Sequence, residues 1–170
     1  MKKSIYEIYR KQLDKFSETV RSAEERDEDL RDLSLTSTEE GLYFTSRTIN
    51  KYGACVAYFV PGPIWTVHQK AVALRNGPGL GRIFDQAMKT GRLAEKEIVE
   101  TNIGKCAKLT KAGGSVAYVR SSILRSFPSD ALLYVSGPVE PVVVMIERNC
   151  QFYLLGLVMP MRPSDVKVCA

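Results

Sequence analysis

One pair of residues in this sequence could carry out nucleophilic chemistry, Cys55 and His68. The chain has four cysteines and a single histidine. A thiol becomes a strong nucleophile near neutral pH when a neighbouring base takes its proton. Cys55 is therefore the candidate nucleophile of a cysteine-dependent hydrolase, with His68 as its base. The alternative interpretation is a buried strand residue, because free cysteine usually lies in a protein core.

The residues around Cys55 resemble a known group of cysteine enzymes. The strings YGACVAY at 52–58 and GSVAYV at 114–119 are similar to the two signature segments of the CHAP-type cysteine amidase–peptidases. The resemblance implies that the first string carries the nucleophile and that the second begins the strand of the catalytic histidine. Ser115 stands at the position of that histidine, which leaves His68 as the only available base.

A metal site is not expected from the cysteines. They are widely spaced and include no CxxC pair, and a single histidine cannot complete a zinc site. The sequence therefore predicts no metal and no cofactor, and it favours free thiols in a reducing cytoplasm. The cysteines are Cys55, Cys106, Cys150 and Cys169.

A basic stretch at residues 75–125 is the second candidate site. It carries ten basic and four acidic side chains, a local excess of six positive charges in a chain whose net charge is +5. Such an excess attracts nucleic acid or an acidic protein, although many charge runs are only solvated helix faces. Residues 93–111 fit one helix, or a winged helix-turn-helix with its corner at Thr101 and Asn102. The predicted nucleic-acid or anion-binding residues are Arg82, Lys105, Lys108, Lys111, Arg120 and Arg125.

Two smaller motifs have a structural and a functional interpretation. The string GPGLG at 77–81 could bring backbone N–H groups to an anion, or it could simply separate two helices. Glu95 and Glu97 form a Glu-x-Glu that, with Thr45 and Ser46 upstream, resembles the NAD-binding residues of ADP-ribosyltransferases. We favour an ordinary pair of exposed acidic residues on a helix.

The elements that position these residues begin with an amphipathic helix. The string SIYE at 4–7 is a capping box, and apolar residues then recur at helical spacing to about residue 25. This N-terminal segment, residues 1–35, either packs on its own domain or forms a homo-oligomer. The stripe is formed by Ile5, Tyr9, Leu13, Phe16, Val20 and Ala23.

The remaining elements predict an α+β fold. Residues 41–49 and 54–60 are predicted to form a β-hairpin, and central helices begin at Pro63, at Arg82 and at Leu93. A mostly antiparallel C-terminal sheet is expected from short apolar runs, with Asn149 in the turn of the last hairpin. Its predicted strands are 115–119, 131–135, 142–146 and 152–159.

Length and composition limit the classes of function. A chain of 170 residues with 45% hydrophobic content fits a single α+β domain over 1–170, and no apolar run is long enough for a membrane span. We expect a cytoplasmic accessory or regulatory binding protein that acts through the basic surface. The alternatives are the cysteine hydrolase and a non-catalytic assembly subunit that oligomerises through the N-terminal helix.

Overall fold

A computed structural model describes residues 2–26, 35–37, 41–45, 56–67 and 79–169. It contains helices and an antiparallel sheet, which confirms the mixed α+β class. The chain divides into two compact units, Met1–Ile83 and Phe84–Ala170. The prediction of one domain over 1–170 stays a prediction.

The first unit begins with the predicted helix, α1 (Ile5–Glu25). Its capping box is complete. Ser4 Oγ accepts a hydrogen bond from the Glu7 N–H at 3.2 Å, and the Glu7 carboxylate accepts one from the Ser4 N–H at 2.8 Å. These two bonds with Ser4 hold the pKa of Glu7 below its usual value, because they favour the ionised carboxylate.

Three antiparallel strands follow α1, namely β1 (Leu35–Ser37), β2 (Gly41–Thr45) and β3 (Val56–Pro61). The hairpin predicted over 41–49 and 54–60 is confirmed in its described part, where Tyr43 of β2 lies opposite Phe59 of β3. Its predicted turn lies outside the described residues. β2 buries consecutive side chains, which is typical of a strand that is covered on both faces.

The apolar stripe of α1 packs within its own unit. Tyr9, Leu13, Phe16 and Val20 are buried. The Phe16 ring meets the Phe44 ring edge-on at 5.4 Å between centroids. These contacts use the face that the oligomer prediction requires, so the stripe offers little apolar surface to a second chain.

Two helices correspond to predicted ones. α2 (Gly62–Val67) includes Pro63, at which the helix was predicted to begin. α3 (Gly79–Thr90) covers the predicted helix 82–89, begins three residues earlier and ends immediately before Gly91. Phe84 and Ala87 of α3 are buried.

The second unit contains six strands and a short helix. In order along the sheet the strands are β9, β8, β7, β4, β5 and β6, and each pairs antiparallel with its neighbour. Met161, which follows β9, forms a bridge with Tyr118 of β6. The sheet therefore curls until its two ends meet. The elements are β4 (Arg92–Thr101), β5 (Gly104–Lys111), β6 (Val116–Arg120), α4 (Ser121–Leu124), β7 (Leu132–Val135), β8 (Val142–Arg148) and β9 (Gln151–Val158).

The prediction of a helix or helix-turn-helix over 93–111 is wrong, because this segment is the β4–β5 hairpin. Its Glu, Lys, Ala and Leu residues favour a helix locally, which made that interpretation attractive. Two features override the preference. Gly104 adopts a φ of +104°, which suits glycine at the end of a tight turn. β5 is paired on both edges and needs a strand on each side.

The predicted C-terminal sheet is confirmed, including its turn. Asn149 and Cys150 join β8 to β9 with φ values of 51° and 60°, as a two-residue hairpin of the primed type requires. Arg148, at the end of β8, forms an ion pair with Asp130 at 2.9 Å. The turn and the ion pair therefore lie at the same end of the hairpin, where Arg148 pairs with Gln151.

Replacing Cys150 by glycine should stabilise the protein. Positive φ costs an L-residue other than asparagine or aspartate on the order of 1 kcal/mol, and Cys150→Gly removes that cost. We expect the free energy of unfolding, measured by urea denaturation, to rise by about 1 kcal/mol. Asn149→Gly is the matched control and should change it less. A destabilised Cys150→Gly protein would contradict the strain at this position.

Lys15 gives a second prediction, which concerns pH. Burial, together with the nearby charge of Lys11, lowers the pKa of Lys15 below its ordinary value of 10.5. Its ammonium donates to Tyr58 Oη at 3.3 Å and lies 4.6 Å from the centre of the Tyr58 ring. Between the lowered pKa and 10.5, Lys15 is therefore protonated more fully in the unfolded chain than in the folded one. Its contribution to the free energy of unfolding rises with pH through that window.

The measurement is the difference in unfolding free energy between the Lys15→Met variant and the parent chain. This difference should change in favour of the parent chain as pH rises from neutral towards 10.5. Only the parent has a buried ammonium at position 15, and its destabilising effect disappears when the ammonium loses its proton. Arg21→Met, at an exposed position on α1 that does not contribute to the lowered pKa of Lys15, is the control. A pH-independent difference for Lys15→Met would rule out the depressed pKa.

Candidate functional site

The residues of the hydrolase hypothesis lie outside the described part of the chain. This applies to Cys55 and His68, so the hypothesis stays a prediction. The second string of the resemblance is confirmed as a strand, β6, with Ser115 immediately before it. Two other motifs are only partly described, since Ser46 and the first two residues of the glycine-rich string, Gly77 and Pro78, fall outside the described ranges.

The predicted basic residues are divided between elements. Arg82 lies exposed on α3 in the first unit, and Arg125 lies exposed at the end of α4 in the second. The three lysines lie on β5, where side chains alternate between the two faces. Lys108 therefore points away from the face that carries Lys105 and Lys111. The shared helical face that was predicted for these lysines does not exist.

The inner face of β5 and β6 is core. Ala107, Leu109, Ala117 and Val119 share this face and have no measurable exposure. Lys105 and Lys111 lie on the same face at the two ends of β5. Each has its own contact. Lys111 Nζ donates to the Ser136 carbonyl at 2.7 Å, and Lys105 Nζ lies 3.9 Å from the Glu100 carboxylate.

The outer face of β5 and β6 brings two of the predicted cations together. Lys108 lies directly opposite Tyr118, and Arg120 is two residues further along β6. A diagonal pair of this kind is separated by about 7–8 Å. Arg120 Nη1 also donates to the Ile103 carbonyl at 3.4 Å. We call Lys108, Tyr118 and Arg120 the cationic face.

Acidic residues flank the cationic face on β4. Glu97 lies opposite Lys108, and Glu95 lies on the same face two positions away. Both glutamates are exposed. The Glu-x-Glu pair therefore lies on a strand and not on the predicted helix. The surface of this sheet is of mixed charge, whereas a phosphate backbone is attracted by a continuous basic surface.

Within the described part of the chain, the outer edge of β4 is paired only at its two ends. At one end, Arg92 and Leu93 pair with Val135 and Tyr134 of β7. At the other end, the C-terminal segment pairs with β4 through a bridge between Thr101 and Val168.

Backbone hydrogen bonds show which β4 residues direct their N–H and C=O groups to this edge. The Cys169 N–H donates to the Glu100 carbonyl at 2.9 Å, and the Asn102 N–H donates to the Lys167 carbonyl at 3.0 Å. The β4–β5 register runs without a shift, so the alternation continues back along the strand. Lys96 and Ile98 therefore also direct their backbone N–H and C=O groups outwards, and no described residue pairs with them there.

The side chains of this segment are as accessible as its backbone. Ile98 is 54% exposed and Leu93 is 53% exposed, although both are large and apolar. Both faces of β4 are open from Glu95 to Ile98. The sequence analysis missed this edge because it assigned the segment to a helix. The turn residues Thr101, Asn102 and Gly104 were the signal that could have revealed a hairpin.

A shallow apolar groove of about 660 Å³ lies elsewhere in the second unit. Arg162 and Ser164 are its polar residues, and the lining includes no carboxylate or thiol. Among the described residues, no group of histidine, cysteine, aspartate and glutamate side chains could hold a metal ion. The rest of the groove is formed by Val139, Met159, Pro160 and Pro163.

Within the described ranges, no helix has the length and apolar character needed to cross a membrane.

Comparison with known proteins gave no match among protein-family models, curated proteins or solved structures. We therefore infer the function from the residues of this chain.

Amide hydrogen exchange tests the arrangement of β4 directly. The N–H groups of Lys96 and Ile98 face outwards, whereas those of Glu97 and Val99 face β5. We expect the first pair to exchange on the order of a hundredfold faster than the second, because they open without breaking the hairpin. β5 is the internal control, since both of its edges are paired and its amides should show no alternation. Uniform protection along β4 would show that its outer edge is covered.

Proposed function

We propose that this chain is a small cytoplasmic accessory protein that binds an acidic polypeptide through the cationic face of its second unit. The observation that carries the proposal is the placement of Lys108 and Arg120 on one outward face, on either side of Tyr118. Two cations at this spacing match a pair of carboxylates on an extended segment. The cytoplasmic location is supported by the free thiols of Cys106, Cys150 and Cys169.

A polypeptide fits this surface better than a nucleic acid does. Glu95 and Glu97 lie on the same face as Lys108 and would repel a continuous line of phosphates. Tyr118 is the only aromatic side chain in the cationic face, which gives little surface for base stacking. A polypeptide carries charges of both signs and can place its carboxylates at Lys108 and Arg120 while presenting cations to the glutamates.

The described contacts rank the alternatives. The assembly hypothesis needs an accessible stripe on α1, but Tyr9, Leu13 and Phe16 are buried within the first unit. The hydrolase hypothesis depends on Cys55 and His68, for which the described residues supply no geometry. A specific observation favours only the binding function.

The test removes the two positive charges together. Binding of a fluorescent peptide of alternating glutamate and serine should weaken about fivefold in Lys108→Gln/Arg120→Gln, because two exposed ion pairs contribute on the order of 1 kcal/mol. Arg10→Gln/Arg21→Gln removes the same charge from exposed positions on α1 and is the matched control. Folding should survive, since the Arg120 bond to Ile103 contributes about 1 kcal/mol.

Nucleic acid is the decisive comparison. Duplex DNA and single-stranded RNA should bind more weakly than the acidic peptide at equal salt concentration, and neither should depend on Lys108 and Arg120. Equal losses of peptide binding in the test and control variants would show that net charge alone causes the effect and would refute the proposed site. Tighter, Lys108-dependent binding of RNA or DNA would show that the partner is a nucleic acid and not a polypeptide.

A further inference from the structure

We propose that the outer edge of β4, over residues 94–99, is a docking site for an extended segment of a different polypeptide, which adds to the sheet as an antiparallel strand. This surface goes beyond the cationic face. It uses backbone groups of β4, whereas the cationic face uses side chains of β5 and β6. The two proposals can therefore fail independently.

The backbone provides the first argument. Lys96 and Ile98 each direct an N–H and a C=O to an edge on which no described residue pairs with them. The same edge already has antiparallel neighbours at both ends, β7 at Leu93 and the C-terminal segment at Thr101. The Glu100 carbonyl is already taken by Cys169, so the open gap covers the six residues 94–99, or about 20 Å of strand. A short extended segment would complete the row of hydrogen bonds.

The charges exclude a second copy of this chain as the occupant. In an antiparallel pair, residues that direct their backbone groups outwards must lie opposite each other. When the two edges are identical, this requirement allows only registers in which one residue lies opposite its own copy. Centring the pair on Glu95, Lys96 or Glu97 places that charge opposite itself. Like charges that are directly opposite destabilise a sheet, so these three registers are disfavoured.

The remaining central register is blocked by the chain itself. Centring on Ile98 would place Lys96 opposite Glu100 of the copy, which is a favourable pair. This register needs the outward groups of Glu100, and the Glu100 carbonyl already accepts the N–H of Cys169 at 2.9 Å. The C-terminal segment therefore protects β4 against pairing with itself. A different polypeptide is the occupant that the edge accepts.

The side chains of β4 define the sequence that such a segment should have. Glu95 and Glu97 on one face require basic partners, Lys96 on the other face requires an acidic one, and Ile98 requires an apolar one. Read antiparallel to β4, the expected pattern is apolar, basic, acidic, basic. A peptide with the core Thr-Val-Lys-Glu-Lys-Val satisfies it. The core Thr-Val-Glu-Lys-Glu-Val reverses each charge and is the matched control.

Binding of these two labelled peptides to the full chain tests the charge pattern. The first should bind about tenfold more tightly, because three cross-strand pairs change from attraction to repulsion. On binding, the amides of Lys96 and Ile98 should become protected from hydrogen exchange. Equal affinity for both peptides, or binding without protection of these amides, would overturn the proposal.

A proline substitution tests the backbone contacts. Ile98→Pro removes an outward N–H that takes no part in the β4–β5 ladder, so the fold should persist, as it does for proline on natural edge strands. Peptide binding should fall more than tenfold in Ile98→Pro and only about threefold in Ile98→Ala, which loses the side chain alone. Similar losses in the two variants would contradict strand addition.

Two controls keep the outcomes separate. A peptide methylated on its edge-facing amides should not bind the unmodified chain, so the proposal can be tested even if Ile98→Pro misfolds. Lys108→Gln/Arg120→Gln should not weaken binding of the Thr-Val-Lys-Glu-Lys-Val peptide, because the loss of Lys108 leaves Glu97 to the lysine of the peptide, whatever the variant does to the acidic peptide. Protection of the Lys96 amide that rises with protein concentration alone would identify a second copy as the occupant and would falsify the inference.

Discussion

A β-strand residue directs both of its backbone polar groups to one edge, and the next residue directs them to the other. The second unit depends on this alternation. In β4, the odd-numbered residues from Glu95 to Thr101 are committed to β5, and the even-numbered ones face outwards. The same alternation places Lys108 on the outer face and Leu109 in the core. The open edge therefore follows from the register between β4 and β5, and the cationic face follows from the register between β5 and β6.

The parts of the fold that were predictable have strong local signals. Ser4 and Glu7 form the capping box that their spacing indicates, and Asn149 takes the positive φ expected of it in a hairpin turn. The apolar strands β8 and β9 follow from β-branched runs that are bounded by turn residues. In each case a few neighbouring residues carry enough information, and tertiary contacts agree with the local preference.

The β4–β5 hairpin was not predictable in the same way. Leu93, Ala94, Glu95 and Lys96 are good helix formers, and their local preference is opposed only by pairing with residues more than ten positions away. Since the candidate site lies on this hairpin, the error carried over to function. The candidate binding residues were predicted from charge, but the helical face predicted to group them was wrong, and the exposed edge was missed.

The bridge between Met161 and Tyr118 has a kinetic consequence. It joins residues that are far apart in sequence, as does the bridge between Thr101 and Val168. Each closes a long loop, so each contact costs much entropy and forms late, after the local hairpins exist. The β4–β5 hairpin would therefore form before the C-terminal segment pairs with the outer edge of β4. During this interval β4 is exposed along most of its length, and the Ile98-centred self-pairing is transiently available. The final residues of the described chain thus cover the end of β4 at which two copies could otherwise pair.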